Sequence, residues 1–422
     1  MSIAERVLGV ENISFLRSLD VQLVFLISII SSMGSIAGPA LPAMSGALGI
    51  SEARIGLVFT AFTFPAIVVL PIISIVADLY SRKAVVVPGI LLFGVAGFSV
   101  GLAEEFRTIL LLRGLQGIGY TAFNSLTVAL LGDLLSGSTE SAAQGARVIL
   151  NKTTGFVGPA IAGVLAGLAW YYPFYLYGLA VPAGILVYFR LEGSVRERGR
   201  ERDADTDTVV DTNPAGEVRR YVTDIHALVA DPFIAGVLAA GFFRMFLKYT
   251  LYTFLALALV EQYGGSLGYA GFLVGLYSLI GAVVGSQSAR FTEGLSHSYA
   301  LLVGFVIASV AFLAFPVASG LIAVTALVLM HGVGEGIINP VHKSILSQSV
   351  DTDLRAGLVT SNAIVQNTAK TVTPVVLSPV LVLAGSSGYG TLFFLAGGVT
   401  LLTSLIAAVA LAVGSVSERH RI

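Results

Sequence analysis

Six ionisable residues lie inside long apolar runs of this chain: Arg113, Lys152, Arg244, Lys248, Glu335 and Lys370. A charge at mid-bilayer costs about 2.5–3.5 kcal/mol on insertion scales, so six facing lipid would cost of the order of 15–20 kcal/mol. These groups therefore face water or one another. Arg244 and Lys248 are four residues apart and share a helix face, as do His331 and Glu335. Two like charges at that spacing repel and need a partner. Glu335 is the one carboxylate well inside an apolar run, and we expect it to pair with a basic residue. Desolvation favours its neutral acid and a nearby cation favours its ionised form, so such a pair suits a proton switch. A permanent structural ion pair is the other use of the same residues, and His331 reads first as a packed helix residue in a Gly-rich turn. Further polar candidates are Gln116, Asn124, Tyr249, Asn339, Asn362 and Gln366. Phe242, Phe243, Phe246 and Tyr252 offer contacts for an apolar body.

Other chemistries find no residues. There is no cysteine, hence no disulfide, thiol nucleophile or Cys-ligated zinc. The five His are scattered, and neither a His-Glu-x-x-His, a Gly-x-Ser-x-Gly nor a nucleotide-binding Gly-x-x-x-x-Gly-Lys-Ser/Thr run occurs. We expect no enzyme, cofactor or metal. The net charge of −1 gives no reason to expect a nucleic acid partner.

The elements that must position these residues are membrane helices. Of the 422 residues, 55% are hydrophobic and 12% charged, against about 25% charged in soluble domains. A span needs about 20 mostly apolar residues. Twelve are found, at roughly 21–44, 55–77, 84–103, 108–132, 146–169, 172–190, 232–260, 267–289, 299–318, 320–346, 357–384 and 389–414. Long runs without period-two alternation exclude a barrel. Residues 191–231 carry Arg196, Arg198, Arg200 and Arg202 and then a polar acidic run from Asp203 to Asp211, which reads as a solvated linker. The chain thus divides into a six-helix bundle at 1–190, a linker at 191–231 and a second bundle at 232–422. With both termini cytoplasmic, Arg6, Arg17, Arg82, Lys83, Arg147, Arg190, the linker arginines, Arg219, Arg220, Arg290, Lys343, Arg355, Arg419 and Arg421 all fall inside, and only Arg54 and Arg107 outside. The first twenty residues, with Glu5, Arg6, Glu11, Arg17 and Asp20, read as an amphipathic cytoplasmic lead-in.

One ungapped offset of 215 residues sets Asp78 on Glu293, Ser81 on Ser296, Gly117-x-Gly119 on Gly332-x-Gly334 and Gly158-Pro159 on Thr373-Pro374. A single offset serving three helices argues for duplication of a six-helix unit.

Four motifs carry a resemblance. After the second span comes Ser74-Ile75-Val76-Ala77-Asp78-Leu79-Tyr80-Ser81-Arg82-Lys83; the fourth reads Arg113-Gly114-Leu115-Gln116-Gly117-Ile118-Gly119. The fifth reads Gly155-Phe156-Val157-Gly158-Pro159-Ala160-Ile161-Ala162-Gly163, and the first carries Gly38-Pro39-Ala40-Leu41-Pro42. Together they resemble the signatures of the major facilitator superfamily, and the last two its drug/proton antiporter branch. Ser74, Leu79 and Ser81 depart from the family's Gly, Arg and Gly, so Arg82 or Lys83 could reach Asp133 instead of a full charge relay.

The resemblance implies an all-α polytopic membrane protein with twelve transmembrane helices as two parallel six-helix repeats, monomeric by family default. It implies that Asp78, Arg82, Lys83 and Asp133 latch the cytoplasmic side and that Gly158 and Pro159 form a bend or hinge. It implies a central cavity lined by the first, fourth, seventh and tenth spans, hence by Arg113, Gln116, Arg244, Lys248, His331 and Glu335, with Lys152 and Lys370 on bordering helices. The expected activity is secondary active transport of a small organic solute by alternating access, in the cell (plasma) membrane, with proton-coupled efflux as the leading form. Five cations to one anion favour an anionic solute, so a symporter or uniporter for an anion is the alternative. A membrane sensor that no longer transports is a third reading.

Overall fold

A bilayer leaves no water for backbone groups, so each segment must satisfy its own hydrogen bonds. The computed structural model describes residues 14–79, 81–191, 231–288, 296–349, 352–385 and 388–419, and every regular element among them is a helix. We number them α1 (Leu19–Leu48), α2 (Glu52–Ile55, Leu57–Thr63 and Pro65–Leu79), α3 (Arg82–Val100), α4 (Phe106–Asn124 and Thr127–Leu134), α5 (Gly137–Leu168) and α6 (Tyr172–Arg190). The second set is α7 (Pro232–Glu261), α8 (Leu267–Ser286), α9 (His297–Leu313), α10 (Gly320–Gln348), α11 (Thr352–Leu383) and α12 (Gly388–Arg419). The expected linker falls, apart from its end residues, outside the described residues.

Ten of the twelve contain a stretch long and apolar enough to cross a membrane. The other two are α4, which carries Arg107, Arg113 and Gln116, and α11, which carries Asn362, Gln366, Asn367 and Lys370. α5 begins at Gly137, earlier than the expected 146, and α11 at Thr352 rather than 357. Apolarity marks where the bilayer ends, whereas good helix formers such as Glu140, Ala142, Ala143 and Gln144 extend the hydrogen-bonded helix into water. α1 changes to 3-10 geometry at Ser32–Ser35 and Gly38–Ala40, where Pro39 lacks an N–H. α5 runs unbroken through Pro159.

The repeat is visible in local geometry. Gly49 and Gly264 both adopt φ 63, the left-handed conformation that ends a helix without Cβ strain, two residues before Ser51 and Ser266 at the N-cap positions of α2 and α8. The Ser81 and Ser296 hydroxyls cap α3 and α9 by accepting from Ala84 N and Tyr299 N. A Cβ at Gly117 would overlap the Phe62 carbonyl oxygen, and one at Gly332 would lie 3.1 Å from that of Tyr277. A Cβ at Gly119 would lie 2.6 Å from the Gly89 carbonyl oxygen, and one at Gly334 would lie 2.7 Å from that of Gly304. Every pair is related by 215 positions. In both repeats, then, the fourth helix touches the second and third backbone to backbone through glycine.

By contacts the chain forms two compact units, residues 1–50 with 61–210, and 51–60 with 211–422. In the first, Phe93 meets Phe123 and Tyr177 edge to face; in the second, Phe393 stacks on Phe315 at 4.0 Å between ring centres. The contact division differs from the expected 1–190 and 232–422 at residues 51–60. There Glu52 accepts the Tyr389 hydroxyl, Thr60 donates to Thr371 O at 2.9 Å and Phe59 meets Tyr249 edge to face.

Gly119→Ala should destabilise the protein by about 1–3 kcal/mol through overpacking. Gly114→Ala, on the same helix but with its nearest neighbour 3.8 Å away, should be neutral or gain up to about 1 kcal/mol of helix propensity. Thermal unfolding of the purified variants in detergent checks the contrast.

Candidate functional site

Within the second unit, α7, α10 and α11 bring a guanidinium, a carboxylate and a carboxamide together. Arg244 and Glu335 are 5% and 6% exposed. Arg244 donates through Nη1 to Glu335 Oε1 at 2.8 Å and through Nη2 to Gln366 Oε1 at 3.2 Å. Glu335 therefore has the basic partner expected of it. α10 can approach because Gly332 and Gly336 remove side chains where it crosses α8. On the α7 side Gly241 leaves room for His342, whose Nε2 lies 2.9 Å from the Val237 carbonyl oxygen. That oxygen only accepts, so the contact selects the Nε2–H tautomer.

His331, one turn before Glu335, is packed between rings, with Tyr277 stacked on it at 5.2 Å and Phe312 at 4.6 Å between ring centres. Tyr277 in turn meets Tyr252. Lys248, one turn after Arg244, lies over the Tyr252 ring at 5.4 Å, and Lys370, one turn after Gln366, lies over Tyr249 at 5.9 Å. The Lys370 ammonium also donates to Asn367 Oδ1 at 2.9 Å. Both lysines and both tyrosines are half-buried. Of the residues expected to bind solute or proton, Arg244, Lys248, His331, Glu335 and Lys370 thus share the second unit with Gln366. Tyr277 and Asn367 were not among the expected residues. Asn367 could have been found from its spacing of three before Lys370; a tyrosine inside an apolar run gives no such signal.

Arg113 and Gln116 form a separate group in the first unit. Both are fully buried, and Arg113 Nη1 donates to Gln116 Oε1 at 2.5 Å. The guanidinium stacks on Phe62 at 4.3 Å with Tyr177 beyond. An aromatic face on α2 and a carboxamide on its own helix hold Arg113 inside the first unit. At the motif that follows α2, Arg82 makes the expected ion pair with Asp133 at 2.5 Å. Lys83 takes a different partner, donating to Leu191 O at 2.5 Å beside Tyr188. The Asp78 side chain lies outside the described residues. A Cβ at Gly158 would lie 3.4 Å from the Ile36 side chain of α1, and Pro159 is buried beside it.

Breaking a buried ion pair from one side costs about 3–5 kcal/mol, whereas replacing both partners by apolar groups is often neutral. Arg244→Met and Glu335→Leu should each lower the melting temperature markedly, and the double variant should recover most of the loss. Arg82→Met, whose ion pair is part-exposed, should cost no more than about 1 kcal/mol.

The profile of the Major Facilitator Superfamily matches residues 23–374. The chain is 30% identical over 154 residues to the multidrug transporter protein MdtP of Bacillus subtilis (strain 168), covering 36% of this chain and 28% of that protein. It is 29% identical over 143 residues to the bacillibactin exporter of the same organism, covering 32% of this chain and 36% of the relative. The matched stretch thus spans about a third or less of each relative's length. The structure is similar to that of a bacterial homologue of the human lysosomal transporter Spinster, inward-facing and occupied, with a TM-score of 0.72 at 16% identity over 94% of this chain and 97% of the other. At that identity the likeness speaks for the fold alone. With the profile running through both repeats and the motif ion pair in place, the chain belongs to the Major Facilitator Superfamily, a family of transporters rather than enzymes, and is a multi-pass membrane protein.

Proposed function

We propose that this transporter moves a small organic solute out of the cell by alternating access, coupled to protons through Glu335. The observation that carries the proposal is the Glu335–Arg244 contact at 2.8 Å between two buried side chains, with Gln366 as a third partner. A buried carboxylate is held ionised only by its partner. If the Arg244–Glu335 contact opens within the second repeat as the two repeats rock, Glu335 becomes an isolated charge in a dry site, and taking up a proton removes that cost. Protonation state and helix arrangement are then linked, as proton coupling requires. Tyr277, His331 and Lys248 surround the same contact and set how far it yields.

Efflux is supported by the relatives, one called a multidrug transporter and one an exporter, and by Gly158-Pro159 on α5. The two six-helix repeats, 1–190 and 232–422, serve as the moving bodies of a monomer, joined by 191–231. The excess of Lys and Arg in one set of loops supports a cell-membrane protein with both termini cytoplasmic.

The test uses proteoliposomes loaded with a pH-sensitive dye and challenged with gradients of organic cations and organic anions. At least one solute gradient should drive proton movement through the wild type. Glu335→Gln should abolish that movement while still exchanging labelled solute. Unchanged proton movement in Glu335→Gln, or wild-type solute flux with no proton movement, would sink the coupling role.

A further inference from the structure

We infer that Lys248 and Lys370 form a binding site for an organic anion with a planar body, the anionic group lying between the two ammonium groups and the body against Tyr249 and Tyr252. The inference rests on the reading of this chain as a transporter and names the chemical class of its solute.

Charge carries the argument first. Arg244, Lys248 and Lys370 are three cations around one carboxylate, and Glu335 is committed to Arg244. Among the described residues neither lysine has a carboxylate partner; Lys248 has the Tyr252 ring, and Lys370 has Asn367 and the Tyr249 ring. Two cations inside membrane helices are therefore left without counter-charge, a costly state that an anionic ligand removes.

Geometry brings the two lysines together. Each follows by one helical turn a residue of the Arg244–Gln366 contact, Lys248 on α7 and Lys370 on α11. The Lys370 ammonium already reaches the ring of Tyr249, the residue next to Lys248. Tyr249 and Tyr252 are adjacent, with ring centres 5.8 Å apart. Exposure then separates the roles. Arg244 and Glu335 are closed off, whereas the lysines and tyrosines are only half-buried, so the lysines are the more accessible of the charged groups. A lysine ammonium is a point charge with three rotatable donors and accepts a carboxylate or a phosphate alike. The tyrosine rings add aromatic surface beside the two ammonium groups.

The test measures ligand-induced thermal stabilisation and affinity of the purified full-length protein at one pH, with no gradient. The probes are benzoate and phenyl phosphate, with benzamide and benzyltrimethylammonium as neutral and cationic bodies of similar shape. The two anions should stabilise the wild type and the other two should not. Lys248→Gln and Lys370→Gln should each weaken anion binding at least about tenfold, and Lys248→Arg should restore most of it. The ligand-free melting temperature of each variant reports whether it is folded. Affinity within about twofold of wild type in a folded Gln variant would overturn the site, as would stabilisation by benzyltrimethylammonium alone or by no probe. Phosphatidylglycerol in mixed micelles stabilising the protein where benzoate does not would assign the lysines to a lipid headgroup, which also overturns a solute site. Because binding is read without a gradient, anion binding can persist when the proton role of Glu335 fails, and the reverse.

Discussion

A guanidinium and a carboxylate that would each be unstable alone among apolar helices are held 2.8 Å apart in the second unit, and much of that unit's arrangement follows from keeping them there. α7 must turn Arg244 inward, which places Lys248 on the same face one turn on. α10 must turn Glu335 toward α7, which needs a bare helix surface at Gly332 and Gly336 where α8 crosses. α11 must offer a neutral acceptor, Gln366, to the remaining guanidinium arm. That demand also accounts for a polar α11 that falls outside the helices apolar enough to cross a membrane on composition alone.

The two units share this scaffold and divide its chemistry. Gly89 with Gly119 and Gly304 with Gly334 make the same backbone approach, because only a missing side chain permits it. Substituents around that approach differ freely. Gln116 corresponds to His331, Phe62 to Tyr277, Tyr120 to Glu335, and Arg113 to Val328, each at the same offset. The first unit keeps its buried cation fixed against Phe62 and Gln116 on its own helix. The second holds its cation with residues from two other helices. The Arg113 hydrogen bond to Gln116 lies within one helix, whereas the Arg244 hydrogen bonds cross to two others and depend on how those helices sit. The second arrangement is the one able to respond to a change in conformation.

Much of this was legible in the sequence because cost makes it legible. Charges inside apolar runs are expensive, so Arg244, Glu335, Lys248 and Lys370 stand out by type and place, and spacing of four sets them on shared faces. The glycine pairs and serine caps repeat at one offset because backbone contact and capping tolerate few residues. Asp133 came from the family resemblance, which left Arg82 and Lys83 as alternative partners, and Arg82 is the one that pairs. The helix breaks in α1 and the early start of α5 were not legible, since hydropathy reports solvent and not hydrogen bonding. Nor was the inward fate of Arg113, whose stabilisation by an aromatic face on α2 depends on tertiary packing. The grouping of residues 51–60 with the second unit likewise rests on a hydroxyl contact from Tyr389 and a carbonyl contact at Thr371, far along the chain.

An anionic solute changes what must drive export. Exchange against protons requires solute and proton to oppose each other at the site, which a cation does at a carboxylate. An anion beside Lys248 and Lys370 instead adds negative charge near Glu335, so anion and proton reinforce each other through the same electrostatics. The membrane potential offers another source of energy. Moving one elementary charge through 100 mV is worth about 2.3 kcal/mol, and an anion leaving a cell with a negative interior moves with that field. Two lysines without a carboxylate partner beside a neutralised ion pair are suited to collecting such an anion, since their positive charge is reduced while the solute is bound and restored when it leaves. The charge on the solute-loaded and empty sites then differs, so the potential acts on the loaded and return steps unequally.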